Sequence, residues 1–279
     1  MLGHKVTQVL STEIEVYASF RGAVDKFAAL PFFKNARLIP DIDVFEPAGL
    51  FEALAEIRPD VVVNAIGIVK QVPDSKNDEK TIYINALLPH KIAAFTAPRG
   101  IRLINISTDC VFSGRQGSYV ETDFPDAGDL YGKSKHLGEV RGENCLTIRT
   151  SIIGRELFTR HSLIEWFLSN RGGRVVGFKK AYFSGFTTIE MADILKLLIL
   201  DFPKLEGLYH ISAEKISKYD LLGLVNAAFQ TDVEITPSEE FAIDRSLNSD
   251  KFRALTGYVP PSWESMIETL AADGKDYRG

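Results

Sequence analysis

The chain has 279 residues, enough for one large α/β unit with a smaller second one and for a sizeable core without disulfides or metals. Apolar residues make up 45% and charged residues 25%, which excludes disordered, collagenous and coiled-coil classes. The formal net charge of −5 offers no basic surplus to a nucleic acid or an anionic membrane, so neither is an expected partner.

The cysteines and histidines predict no metal site. The two cysteines, Cys110 and Cys145, lack metal-ligand spacing, and the five histidines are scattered along the chain. So few thiols, in a chain that starts without a signal peptide, favour the reducing cytoplasm. The longest apolar stretch, Ile194 to Leu200, contains Lys196 and is too short to cross a bilayer.

Strand and helix patterns alternate along the first half of the chain, which predicts a parallel sheet covered by helices on both faces. In chain order, strands are predicted over 13–19, 37–40, 61–66, 101–107 and 144–150, and helices over 50–57, 78–97 and 129–142. The 61–66 run opens with three valines, as a strand buried on both faces should. The predicted fold class is therefore α/β with a doubly wound sheet.

The pattern is less regular after residue 153. Helices are predicted over 162–169 and 187–200, a strand over 207–212, and extended pieces over 175–176 and 233–235. No low-complexity linker separates this part from the rest, so we predict two interleaved domains. One comprises 1–153 and 186–212, and the smaller α/β one comprises 154–185 and 213–279.

Tyr131 and Lys135 are the first residues that suggest chemistry. They stand at i and i+4 near the start of a predicted helix, and therefore on one helical face. A nearby ammonium favours phenolate and lowers the pKa of the tyrosine, which would make its hydroxyl a usable proton donor. A chance pair on a solvated helix is the plain alternative.

Polar residues follow two of the predicted strands. Ser107, Thr108 and Asp109 end one of them, and ligands of open α/β sheets bind outside the carboxyl ends of the strands. A hydroxyl from this end and the Tyr131–Lys135 pair would converge on one carbonyl group. Otherwise Ser107 and Thr108 only cap a turn.

The other strand end carries Asn64, Ala65 and Gly67, and the glycine lets a ligand approach the backbone closely. Asn85 lies within the next predicted helix, where asparagine is a poor helix former. Each of these features could be structural by itself. Together with the first two motifs they predict one site at adjacent strand ends.

The ordered set of motifs, with Arg149-Thr150-Ser151 and Arg245, resembles the extended short-chain dehydrogenases and, more narrowly, the dTDP-4-dehydrorhamnose reductase family. The likeness runs through almost the whole chain. It implies a Rossmann-like dinucleotide-binding domain for 1–153 and 186–212, and a substrate-binding domain for 154–185 and 213–279.

The resemblance also implies an activity, the NADPH-dependent reduction of a 4-keto-6-deoxy nucleotide sugar in surface polysaccharide biosynthesis. Tyr131 would protonate the sugar carbonyl, Lys135 would hold the nicotinamide ribose, and Thr108 would hydrogen-bond the carbonyl. Asn85 would support a proton-relay water. The implied cofactor contacts further include Asn64, Ala65, Gly67 and Ser107, and the implied sugar or diphosphate contacts are Asp109, Cys110, Arg149, Ser151 and Arg245.

The end of the first predicted strand indicates which nicotinamide cofactor is used. Sites that prefer NAD place an acid there, whereas an arginine accommodates a 2′-phosphate. This chain has Ser19-Phe20-Arg21, so we predict NADP(H), with Arg21 and Ser19 at the 2′-phosphate. Asp43 resembles the residue that contacts adenine in the superfamily.

The start of the chain departs from the family pattern. Members open with a strand that runs into G-x-x-G-x-x-G, whereas Met1-Leu2-Gly3-His4 matches only the end of that loop. We therefore expect the first central strand and most of the glycine loop to be absent, as in a chain numbered from an internal Met. Gly3 is then the remaining glycine for the cofactor phosphates.

Several alternatives stay open. Cys110 and Ile152 stand where family members commonly have aromatic residues, so an N-acetylated or UDP-linked keto-deoxysugar is an alternative substrate. A nucleotide-sugar epimerase or dehydratase is the enzymatic rival. A non-catalytic NADP-binding regulatory subunit, like the β subunit of methionine adenosyltransferase, is the other. Superfamily members often form homodimers, which makes a homodimer an expected assembly.

Overall fold

The structure, a computed structural model, describes residues 1–70 and 77–277. Its strands are β1 Tyr17–Ser19, β2 Arg37–Ile39, β3 Val61–Asn64, β4 Arg102–Thr108, β5 Cys145–Thr150, β6 Ile152–Ile153, β7 Arg174–Phe183, β8 Phe186–Thr187, β9 Gly207–His210, β10 Ile216–Ser217 and β11 Glu234–Asp244. Its helices are α1 Leu2–Leu10, α2 Asp25–Ala28, α3 Ala48–Ile57, α4 Asp78–Ile82, α5 Leu88–Thr96, α6 Leu130–Leu137, α7 Leu163–Leu168, α8 Thr188–Leu200, α9 Lys218–Phe229, α10 Asp250–Thr256 and α11 Trp263–Ala272. Among the described helices, none is long and apolar enough to cross a membrane.

The main sheet has the order β3-β4-β5-β9, and every pair in it is parallel. β4 and β5 are buried along their whole length, because helices cover both faces of the sheet there. β3 forms the edge of this sheet, so its three valines are only half-buried. The predicted parallel α/β fold is confirmed, and its parallel order places the carboxyl ends of the strands at one edge.

β1 and β2 form a separate parallel pair. In a doubly wound sheet, the first strand that the sequence analysis expected to be absent would lie between β1 and β3. Within the described ranges, no strand pairs with both of them. The predicted strand 13–19 is shorter than expected, because 11–14 is the closing turn of α1, in which the Glu13 and Ile14 amides donate to the Leu10 carbonyl. The side chains of Ile14 and Val16 both pack against the main core, which gave the sequence its strand-like alternation there.

The predicted helix 78–97 is interrupted by a π-turn, Tyr83–Leu87, between α4 and α5. Pro89 has no N–H, so the Asn85 carbonyl four residues earlier lacks its α-helical donor. Gly138, at the end of α6, packs against that carbonyl: a Cβ there would lie 2.0 Å from the Asn85 oxygen. Because residue 138 is a glycine, α6 lies closer to the π-turn than a residue with a Cβ would permit.

The second sheet, β10-β7-β11, is longer than the sequence predicted. Only 175–176 and 233–235 were expected to be extended, whereas β7 and β11 pair in parallel from Arg174–Glu234 to Tyr182–Asp244. Exposed ion pairs, Arg174 with Glu234 and Lys180 with Glu239, join the two strands. Their charged residues obscured the strand pattern, because they lie on a solvated face of the sheet.

The short pair β6-β8 lies within the first predicted domain, at the two predicted boundaries with the second. The C-terminal segment returns to the first helix: Lys5 Nζ lies 2.6 Å from Asp273 Oδ2, and His4 Nε2 lies 2.6 Å from the Tyr277 hydroxyl. One apolar core runs through both parts and includes Ile148 of β5 and Val175 of β7. The exact division of the chain into domains stays a prediction.

The close packing at Gly138 predicts a specific loss of stability. Gly138→Ala places a methyl group against the Asn85 carbonyl and should lower the free energy of unfolding by about 1–3 kcal/mol or more. Gly49→Ala is the control, because nothing lies within 4 Å of its Cβ position inside α3. It should leave stability unchanged or raise it by up to about 1 kcal/mol. Urea denaturation of both variants measures the difference, and equal effects would contradict this packing.

Candidate active site

The carboxyl end of β4 presents two buried polar residues, Thr108 and Asp109. The Thr108 hydroxyl donates to Asp109 Oδ1 over 3.1 Å and accepts from the Cys110 amide at 3.1 Å. These bonds begin the 3₁₀ turn Asp109–Val111, which carries the chain out of the sheet. Thr108 therefore caps a turn, and its hydroxyl also faces α6.

Tyr131 is half-buried in the first turn of α6, and the Thr108 side chain is close enough to its hydroxyl to affect its pKa. Burial raises the pKa of the Tyr131 hydroxyl, the neighbouring Cys110 raises it further, and the Thr108 hydrogen bond opposes them. The prediction that Lys135 lowers this pKa is wrong here, because desolvation dominates. The structure does bring Thr108 and Tyr131 together, as the motifs predicted.

Lys135 is buried one turn after Tyr131 on the same helix. Its Nζ donates to the Ile106 carbonyl of β4 over 2.6 Å, so the ammonium group points towards the strand. Burial lowers the pKa of Lys135 to about 8, and the Glu139 carboxylate acts in the opposite direction. An ammonium group is thus held at the base of the Thr108–Tyr131 pair.

Asn85 is buried in the π-turn, and its side chain is fully engaged. Its Oδ1 accepts from the Ile68 amide and its Nδ2 donates to the Ile68 carbonyl, both at 2.9 Å. Nδ2 also lies 3.3 Å from the Ser134 hydroxyl on α6. Asn85 therefore fixes the loop after β3 against α6, and its expected support of a proton-relay water stays a prediction.

The loop after β3 provides an open edge beside these groups. Asn64 is buried and donates from Nδ2 to Asn105 Oδ1 over 2.9 Å, while its own Oδ1 accepts from the Ile66 amide at 3.3 Å. Ala65 and Gly67 are exposed. The predicted close approach of a ligand to this backbone is sterically open.

Two expected ligand contacts are committed to other partners. Arg149 was expected to bind the sugar or diphosphate, but it is 1% exposed and forms a bidentate ion pair with Glu139. Its planar fork is already satisfied, so this expectation is wrong. Ser107 was expected to bind cofactor, but its buried hydroxyl donates to Glu139 Oε1 over 2.9 Å. Both side chains are therefore directed at Glu139.

The remaining expected sugar contacts lie around Asp109. Burial raises the pKa of the Asp109 carboxyl, and hydrogen bonds from Thr108, Cys110 and Ser151 together with the Arg245 charge oppose this. Arg245 reaches the site from the end of β11, where its Nε donates to the Phe112 carbonyl over 2.8 Å. Burial raises the pKa of Cys110 to about 12, so its thiol stays protonated at neutral pH and is not activated as a nucleophile.

The expected nucleotide contacts lie at β1, β2 and α1. Arg21 Nε is 3.7 Å from Asp43 Oδ2, so the two predicted residues face each other after adjacent strands. Ser19 and Arg21 are exposed. Gly3 is exposed in the first turn of α1, and nothing lies within 4 Å of its Cβ position.

Two further residues at the site were missed by the sequence analysis. Asp129 caps α6 by accepting from the Gly132 amide at 3.0 Å, and Lys70 forms a 2.7 Å ion pair with it. The Lys70 ammonium also lies 5.7 Å from the centre of the Tyr131 ring. An aspartate just before a predicted helix is a capping signal that could have identified Asp129, whereas the Lys70 contact is long-range.

The buried ammonium predicts a pH-dependent cost to folding. Folding lowers the pKa of Lys135 from 10.5 to about 8. The free-energy cost of burying the ammonium is therefore complete below about pH 8, and the cost disappears above pH 10.5, where the amine is neutral in the folded and the unfolded protein. Lys135→Met should raise the free energy of unfolding at pH 7 by about 1–3 kcal/mol, and the gain should shrink towards pH 10.5. Denaturant titrations at several pH values measure this trend. Lys133→Met, exposed on the same helix, is the control, and an equal trend there would refute the assignment.

Comparison with known proteins places the chain in a family. The family model described as the RmlD substrate binding domain matches residues 1–275. The dTDP-4-dehydrorhamnose reductase of Salmonella typhimurium is 25% identical over 254 residues, which cover 83% of this chain and 85% of the relative. Methionine adenosyltransferase 2 subunit beta of Danio rerio is 36% identical over 118 residues, which cover 40% of this chain and 32% of that protein.

Solved structures show the same likeness. A hypothetical dTDP-4-dehydrorhamnose reductase from Sulfolobus tokodaii is 26% identical, with a TM-score of 0.77 and 95% of each chain covered. The dTDP-4-dehydrorhamnose reductase of Bacillus anthracis, solved in complex with NADP, shares the fold with a TM-score of 0.75 at 20% identity, covering 93% of this chain and all of that one. The resemblance inferred from the motifs is confirmed, and because the family model spans residues 1–275 the chain belongs to the RmlD substrate binding domain family.

Proposed function

We propose that this protein is an NADPH-dependent reductase that converts the 4-keto group of a 6-deoxy nucleotide sugar to a hydroxyl, for surface polysaccharide biosynthesis. The observation that carries the proposal is the proximity of the Thr108 and Tyr131 side chains at the end of β4, with the Lys135 ammonium buried against the same strand. A hydroxyl donor pair above a fixed positive charge is suited to a carbonyl oxygen that gains negative charge.

The residues present fit a dinucleotide on three observations. The edge formed by Ala65 to Gly67 is exposed, and Gly3 leaves the first turn of α1 open to a phosphate. Arg21 is exposed at the end of β1, where a ribose 2′-phosphate is recognised in this fold class. When bound, a reduced nicotinamide supplies the hydride that adds to the sugar carbonyl carbon.

Tyr131 supplies the proton in this proposal. Its raised pKa keeps the hydroxyl protonated at neutral pH, and a developing alkoxide is more basic than a phenolate, so proton transfer to it is favourable. Thr108 lies close to this hydroxyl and would offer a second contact to the carbonyl oxygen when its hydroxyl turns away from Asp109. Lys135, whose Nζ donates to the Ile106 carbonyl beneath this strand end, would hold the nicotinamide ribose.

The sugar pocket would be formed by Asp109, Cys110, Ser151 and Arg245, which surround the reacting end of β4. Arg149 is left out, because its guanidinium is enclosed by Glu139. Cys110 is smaller than an aromatic side chain, which leaves more room for the sugar. The substrate panel therefore includes UDP-linked and N-acetylated keto-deoxysugars beside dTDP-4-dehydrorhamnose.

A regulatory subunit is the second candidate. It is favoured by one observation, the 36% identity over 118 residues to methionine adenosyltransferase 2 subunit beta. A subunit of that kind would bind a partner protein without consuming NADPH. Net oxidation of NADPH with a sugar nucleotide distinguishes the two, and it also distinguishes a reductase from an epimerase or dehydratase that recycles its cofactor.

Turnover should depend on the Tyr131 hydroxyl. Tyr131→Phe removes only that hydroxyl, and we expect kcat for NADPH oxidation with the best sugar of the panel to fall by about 100-fold or more. The Kd for NADPH should change little. Tyr182→Phe, on β7 in the second sheet, is the matched control and should keep wild-type turnover. Wild-type kcat in Tyr131→Phe would rule out the proposed proton donor.

The preference for NADPH should depend on Arg21. The Arg21–Asp43 pair is exposed and contributes little to stability, so the guanidinium is available to a 2′-phosphate. Arg21→Met should weaken NADPH binding by about tenfold or more while leaving NADH binding nearly unchanged. Arg37→Met, at the start of β2, is the control. Fluorescence titrations with both cofactors measure the ratio, and an unaltered ratio in Arg21→Met would exclude this role.

A further inference from the structure

Glu139, two residues after α6, is a buried carboxylate that the proposed reaction does not use. It accepts hydrogen bonds from four donors. These are Ser107 Oγ at 2.9 Å, Arg149 Nε at 2.7 Å, Arg149 Nη2 at 2.8 Å and His136 Nδ1 at 3.1 Å. Its partners lie on β4, β5 and α6, so one side chain joins three elements of the site.

Glu139 completes a clamp on the last part of β4. Asn105 Nδ2 donates to the Gly138 carbonyl over 3.0 Å, and Lys135 Nζ donates to the Ile106 carbonyl over 2.6 Å. The third contact is Ser107 with Glu139. Three consecutive strand residues are therefore held by α6 and the segment after it, immediately before Thr108.

The same carboxylate fixes β5 through Arg149. The guanidinium is 1% exposed, and its Nη1 donates to His210 Nε2 on β9 over 3.2 Å. His210 in turn donates from Nδ1 to the Tyr119 carbonyl at 2.9 Å. Burial lowers the pKa of His210 to about 4, so this imidazole is neutral and Glu139 is the carboxylate that balances the Arg149 charge. Two residues after Arg149, Ser151 hydrogen-bonds Asp109.

We propose that Glu139 is a positioning residue for the reduction: it sets the ends of β4 and β5 against α6 so that Thr108 faces Tyr131, and its carboxylate acts electrostatically on the buried Lys135. This inference rests on the proposed function of the site. The titratable and charged groups facing Glu139 are Arg149 on β5, His210 on β9, and Lys135 and His136 on α6.

The charge coupling has a definite sign. The pKa of Lys135 is lowered to about 8 by burial, and the Glu139 carboxylate raises it. Removing that charge lowers the pKa of Lys135 further, so the ammonium is lost nearer to neutral pH. A residue that only supported packing would lower the amount of folded protein without moving this titration.

Glu139→Gln tests the proposal by the pH profile. With NADPH and the best sugar of the panel, we expect kcat to fall by about tenfold or more with a smaller change in KM. The alkaline limb of kcat/KM should move to lower pH by about one unit. The double variant Glu139→Gln/Arg149→Gln removes the orphaned guanidinium and should recover thermal stability while keeping the shifted limb.

Glu165→Gln is the matched control, because Glu165 forms another buried ion pair, with Arg155, in the second part of the chain. It should lose stability and keep the wild-type limb. An unmoved limb in Glu139→Gln, or an equal shift in Glu165→Gln, would overturn the proposal.

A readout without turnover separates this inference from the proposed function. If the wild-type protein reduces no sugar of the panel, the proposed function fails. The pKa of Lys135 is then measured by NMR on protein with ¹³C-labelled lysine, with the signal assigned by Lys135→Arg. A lower pKa in Glu139→Gln supports the charge coupling, and an unchanged one rejects it.

Discussion

The whole site depends on how closely α6 approaches β4 and the π-turn. Two glycines permit that approach: a Cβ at Gly132 would lie 2.2 Å from the Cys110 carbonyl, and one at Gly138 would lie 2.0 Å from the Asn85 carbonyl. The first glycine follows Tyr131 directly, and the second ends the helix. Because backbone meets backbone at both points, the distance between Tyr131 and the strand end is fixed by main-chain contact and not by adaptable side chains.

This packing encloses charge that would otherwise stay in water. Lys135, Glu139 and Arg149 are all buried beneath the strand ends. Desolvation of such groups costs free energy that hydrogen bonds and mutual attraction only partly offset. Apolar residues of similar size are often neutral or stabilising at such positions, so these side chains bring charge to the site without being required for packing. The structure thus trades stability for an electrostatic environment at one edge of its sheet.

The sequence predicted the main sheet well, because aliphatic residues dominate short segments such as 101–107, where four of the seven residues are Ile or Leu. It predicted the meeting of Thr108 with Tyr131, since parallel strands end at one edge and a loop returns to it. The ligand contacts expected of Arg149 and Ser107 were wrong, because both side chains bind Glu139 instead. The position of Glu139 depends on the packing of α6 against two strands. The sign of the Tyr131 pKa shift failed for the same reason: the depth of burial is a property of the assembled site. The π-turn and the length of β7 and β11 also depend on contacts distant in sequence.

The amide pair Asn64–Asn105 has a consequence for how the sheet assembles. The two residues stand directly opposite each other on β3 and β4, and Nδ2 of the first bonds Oδ1 of the second. If either strand slid by one position, each amide would face an aliphatic side chain and lose the other amide as its partner. Aliphatic residues alone would tolerate such a slip. The pair therefore favours one register of the two strands whose ends build the site.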